Sequence, residues 1–136
     1  MLRRCCDWLY AIPDEPQSIL KRIAWWELRR IPYNLIIGVT GLISLLLFFL
    51  FINLAHELKS GEDAIEPIAL LAAPFVINIA YTTGWIAELS LRLILRKRSN
   101  VLGVALFKFG LLVSIVVVLL PSVLWFVIWI VRSLGV

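Results

Sequence analysis

Three apolar stretches, Asn34 to Leu54, Pro67 to Leu89 and Val101 to Val131, dominate this 136-residue chain. The hydrocarbon core of a bilayer is about 30 Å thick and takes roughly 20 apolar residues of helix to cross, a length each stretch reaches. The pattern predicts an all-α integral membrane protein: three transmembrane helices preceded by an N-terminal amphipathic helix lying in the interface. Residues 1–32 form the lead-in, and residues 33–136 the membrane domain, with spans near 34–54, 67–89 and 103–130. Composition agrees, since hydrophobic residues make up 62% of the chain and charged residues only 16%. The mean hydropathy of +0.97 lies outside the ordinary soluble range.

The charges are segregated. Arg3, Arg4, Lys21, Arg22, Arg29 and Arg30 precede the first span, and Arg92, Arg96, Lys97 and Arg98 lie between the second and third. The first connection, Ala55 to Glu66, has one cation, Lys59, beside Glu57, Glu62, Asp63 and Glu66; the tail adds only Arg132. Lys and Arg in short loops stay on the cytoplasmic side, so the N-terminus and the basic loop are expected inside, and the acidic loop and the C-terminus outside. The net charge of +4 is therefore not a nucleic-acid footprint. Its cations flank membrane spans, where anionic lipid attracts each by roughly 1 kcal/mol. No cleavable signal pattern is visible, and the first span is expected to serve as the insertion signal. A short chain of this kind suits a bacterial inner membrane.

In the lead-in, Pro13 and Pro16 bracket a turn that can start a helix. From Gln17 to Arg30 the pattern is amphipathic, with Ile19, Leu20, Ile23, Ala24 and Trp26 on one side and Lys21, Arg22, Arg29 and Arg30 broadening the other. Pro32 is expected to end this helix, and Trp25 and Trp26 to anchor it in the inner interface. Docking onto a cytosolic partner is the alternative use of the same pattern. Small residues in the first span (Gly38, Thr40, Gly41, Ser44) allow close helix packing. The third run is too long for one untilted crossing. Pro121 is expected to kink it, and Trp125 and Trp129 to form an outer aromatic belt.

Candidate chemistry concentrates on the second span. Asn78, Tyr81, Thr82, Trp85, Glu88 and Arg92 recur at spacings that place them on one helix face. Ala69, Ala73, Ala80 and Gly84 form a small-residue strip read as pointing roughly the other way. Asn78 needs a partner, with Thr40 or Ser44 or a second subunit as candidates, since an unpaired buried amide is costly. The polar stripe reads either as glue between helices or as the lining of a path for an ion or small solute. Glu88 and Lys108 are a candidate ion pair, because pairing would remove two charges from lipid. Lys108 can alternatively snorkel to the headgroups.

Other motifs are weak. His56 lies in Ala55-His56-Glu57-Leu58, which lacks the second histidine of a zinc-protease helix because Ser60 stands in its place. The acidic loop lacks alternating calcium ligands. Cys5 and Cys6 sit on the reducing side with no nearby histidine, so unmodified thiols are expected, with acylation as the alternative. No nucleophile elbow or phosphate loop occurs. The expectation is a protein without catalytic, metal or cofactor sites. Its partners are the lipid bilayer and either itself, as a homo-oligomer that can enclose a pore, or a larger membrane complex in which it is an accessory subunit.

Overall fold

The computed structural model describes residues 7–12, 18–55, 67–95 and 101–135. The Pro13–Pro16 turn, Cys5 and Cys6, the acidic loop with His56, and the basic residues 96–98 lie outside these residues. Three helices carry the fold: α1 (Ile19–Ala55), α2 (Pro67–Leu95) and α3 (Val101–Ser133). A short helical turn at residues 7–9 precedes them, and no strand occurs among the described residues.

Two of the helices, α1 over Ile19–Leu54 and α3 over Val101–Ser133, are long and apolar enough to cross a membrane, with hydropathies of 2.8 and 2.9. Only 22% and 11% of their apolar stretches are buried within the protein, whereas the core helix of a soluble domain would be mostly covered. The second helix is not among those that pass on its described residues.

A break at Pro32 does not occur. Instead of a separate interfacial helix, α1 runs unbroken for 37 residues with Pro32 inside it. Proline in a helix interior costs about 3 kcal/mol, but the turns on both sides are pinned by Trp26, Arg29 and Tyr33, all at least 97% buried. The buried stripe also differs from the expected one. Leu20, Ala24 and Leu28 face outward, while Trp26, Arg29 and Tyr33 face inward. Pro121 likewise lies within a continuous α3, and α2 contains Pro74.

By contact, the chain divides into two units. The first comprises residues up to Asn34 together with Asn78–Leu112, and the second Leu35–Ile77 with Val113–Val136. The core of the first unit is aromatic. Phe107 lies edge-on to Trp25 (6.1 Å), Trp26 (5.9 Å), Tyr33 (6.5 Å) and Tyr81 (6.4 Å), and Tyr33 packs on Tyr81 at 4.6 Å. Such ring pairs add about 0.5–1.5 kcal/mol each beyond simple burial.

In the second unit, the Ser44 hydroxyl donates to the Val118 carbonyl at 2.7 Å and lies 3.2 Å from Ser122 Oγ, which donates to Leu119. These bonds fall in the turn before Pro121 and tie α1 to α3 there. Phe48 packs on Trp125, and Phe51 on Phe126 and Trp129.

Polarity is inverted relative to a water-soluble bundle. Arg29, Ser44, Glu88 and Ser122 are buried, whereas Leu20, Leu46, Phe75, Leu93, Phe109 and many other large apolar side chains are exposed. Monomeric soluble proteins rarely expose apolar surface on this scale. In lipid the same arrangement is expected, because buried polar groups seek one another and aliphatic side chains meet aliphatic solvent.

Candidate functional site

The site grows from Glu88, which sits on α2 and is only 3% exposed. Its Oε1 accepts from Arg22 Nη1 at 3.1 Å and Arg92 Nε at 2.8 Å, and Arg92 Nη2 lies 2.7 Å away. Its Oε2 accepts from the indole Nε1 of Trp26 at 2.7 Å. One carboxylate therefore gathers two guanidiniums and an indole donor. Arg92 is reached within one helix turn, in the favourable order of acid before base at i,i+4. Arg22 and Trp26 lie four apart on α1, so one face of that helix presents both donors.

The third helix contributes by what it lacks. A Cβ at Gly103 would lie 2.7 Å from Glu88 Oε2 and 2.9 Å from its Cδ. Only hydrogen at that position lets α3 close over the carboxylate.

Further along the same face, Tyr81 donates its hydroxyl to the Trp26 carbonyl. Thr82 Oγ1 donates to the Asn78 carbonyl at 2.8 Å and accepts from Arg30 Nη2 at 3.1 Å. The Asn34 amide donates to Asn78 Oδ1 at 3.2 Å. Arg30 also pairs with Glu27 at 2.8 Å. The polar face of α2 is thus joined rung by rung to α1 through Asn34, Arg30, Trp26 and Arg22. Trp85 is half-buried on this face, and its indole nitrogen has no hydrogen-bond partner.

Several expectations are revised by this geometry. Glu88 takes Arg22 and Arg92 as partners and not Lys108, whose ammonium lies over the Tyr10 ring at 4.8 Å while the side chain stays exposed. Guanidiniums match a carboxylate better than an ammonium does and are less strongly hydrated, which favours them at a buried site. Asn78 meets Asn34 and not Thr40 or Ser44; Thr40 bonds back to Ile36, and Ser44 serves α3.

Trp26 is 2% exposed and ligates Glu88, so of the expected tryptophan anchors it is an internal donor. Trp25 packs edge-on to Trp26 at 5.5 Å. Trp125 and Trp129 are half-buried. Gly84 is not on a separate face: a Cβ there would meet the Trp26 ring at 3.3 Å, beside Tyr81 and Glu88.

Chemically, the arrangement holds one negative and two positive charges, with Arg92 Nη2 close to the carboxylate but making no hydrogen bond. No group of three potential metal ligands occurs among the described residues. The fold and site together define an all-helical protein with two helices able to cross a bilayer and a charged, hydrogen-bonded ladder between α1 and α2. No family model matches the chain, and comparison with curated proteins and with solved structures likewise finds no match.

Proposed function

We propose that this is a small, non-catalytic integral membrane protein with three spans that acts by association, first of all with copies of itself. The observation that carries this reading is the first half of α2. From Leu71 to Val76 every residue is exposed, and Leu71, Phe75 and Val76 are each more than half exposed. Apolar residues lie all round it, which suits a helix surrounded by lipid or by other helices. With the polar face of α2 bonded to α1 (Asn78, Tyr81, Thr82, Glu88), a lining for an ion path would have to come from other side chains, and the pore form of the assembly is correspondingly less favoured.

The distribution of cations supports a cytoplasmic N-terminus and an external C-terminus, in a bacterial inner membrane.

The test is the native mass of gently extracted protein, combined with cysteine cross-linking at Leu71 and Phe75 in a background lacking Cys5 and Cys6. A mass at an integer multiple of 15.5 kDa, with self-cross-links at both positions and none at buried Ile52, is the expected result. A clean monomer with no cross-link would sink the proposal. A mass dominated by other chains would transfer the same surface to the second reading, an accessory subunit of a larger membrane complex. Ion flux into reconstituted vesicles that changes on Asn78→Leu would restore the pore.

A further inference from the structure

Arg29 is a buried cation without a counter-ion. It is 3% exposed, and its guanidinium lies over the indoles of Trp8 (4.7 Å) and Trp25 (3.9 Å). Its donors reach the carbonyls of Leu9 (2.8 Å), Trp25 (3.2 Å) and Trp8. The Trp8 and Leu9 carbonyls close the short N-terminal helical turn, so Arg29 caps it and docks it on α1. Carbonyls carry only partial charge, and among the described residues no carboxylate pairs with Arg29. An uncompensated buried charge is costly, and the residue that carries it borders open space.

That space is a cavity of about 380 Å³, lined by Arg29, Lys21, Trp8, Trp25, Ile12 and Leu28 among others, with no acidic residue among its described lining. Lys21 has no ion-pair partner among the described residues. Two cations thus meet around a hollow whose remaining described wall is apolar, and the adjoining surface of α1 exposes Leu20, Leu28 and Ile31.

We propose that this cavity binds the phosphate of an anionic phospholipid, held by Arg29 and Lys21, with its acyl stem along Ile12 and Leu28. The apolar wall favours a lipid over free phosphate, which brings no hydrocarbon to cover it. The site rests on the chain being embedded in a membrane, but not on its oligomeric state.

The experiment is native mass spectrometry of the full chain in detergent, titrated with phosphatidylglycerol or with phosphatidylcholine. Retention of phosphatidylglycerol over phosphatidylcholine is expected. Lys21→Gln should lower that preference about fivefold, in keeping with one near-surface cation. Arg29→Gln should abolish it. Because that change also frees the N-terminal turn, the Lys21 variant carries the decision. Equal retention of both lipids, or a preference unchanged in Lys21→Gln, overturns the site. Displacement of the lipid by millimolar inorganic phosphate also overturns the lipid assignment. Membrane integration is read separately by resistance to alkaline extraction, so a lost preference with integration intact counts against the site alone.

Discussion

Replacing Gly103 by alanine tests the central feature of the site with the smallest perturbation available. The added Cβ would lie 2.7 Å from Glu88 Oε2, closer than real contacts permit, so the carboxylate or the helix must move. A free glutamate would swing aside at little cost. This one is held by Arg22, Arg92 and Trp26, and Oε2 is the atom that Trp26 ligates. Retreat from the methyl group sacrifices that charged hydrogen bond, worth about 1.5–3 kcal/mol. Against it stands the gain of about 1 kcal/mol when alanine replaces glycine within a helix. The expected net destabilisation of G103A is about 0.5–2 kcal/mol.

Gly110→Ala is the internal control on the same helix, since nothing lies within 4 Å of its would-be Cβ. It should be neutral or stabilising by up to about 1 kcal/mol. Reversible unfolding in mixed micelles, followed by tryptophan emission, measures both variants. Indistinguishable stabilities for G103A and G110A would refute the reasoning, because they would mean that Glu88 is not confined.

Other outcomes follow from the same contacts. Glu88→Gln leaves Arg22 and Arg92 without their carboxylate and should cost about 3–5 kcal/mol; Lys108→Gln should be neutral within about 0.5 kcal/mol. The double variant should show the sum of the two, and rescue of E88Q by K108Q in the unfolding assay would contradict the pairing described above. Ser44→Ala removes the donor to Val118 beside Pro121 and should cost about 0.6 kcal/mol and no more than about 2, measured by the same unfolding curves. Trp26→Phe keeps the aromatic cluster but deletes the donor to Glu88. It should cost about 1.5–3 kcal/mol, while a change to leucine should cost more through lost ring contacts.

The helices were legible because apolar length alone announces them: α1, α2 and α3 lie where the three runs are, and the polar face of α2 follows from 3.6-residue periodicity. Partners were harder to read. Arg92 stood at i+4 from Glu88 and was a sufficient local signal, yet Lys108 looked the better match because an isolated charge in an apolar run invites pairing.

Arg22, Asn34 and Gly103 carry no sequence mark of their own. Their roles depend on which faces of α1 and α3 turn inward, and that orientation inverts the usual rule. The apolar side with Leu20 and Ala24 was expected to meet the membrane interface and is exposed, while the side bearing Trp26 and Arg29 packs within the protein. Pro32 misled for a related reason, since the local preference to end a helix yields when the turns on both sides are held by tertiary contacts.

The charged ladder has a consequence for biogenesis. Arg22 and Glu88 are 66 residues apart in the chain, and synthesis at roughly 5–20 residues per second separates their emergence by on the order of ten seconds. Throughout that interval Arg22 and the Trp26 donor of α1 await Glu88, and headgroups or water can stand in for it. Arrival of α2 with Glu88 then permits the final seating of the pair, and the gap at Gly103 lets α3 close last without forcing the carboxylate out. The order of assembly is thereby written into the order of the chain. A version with α2 and α3 exchanged would have to seat its closing helix before the charge it covers had a partner.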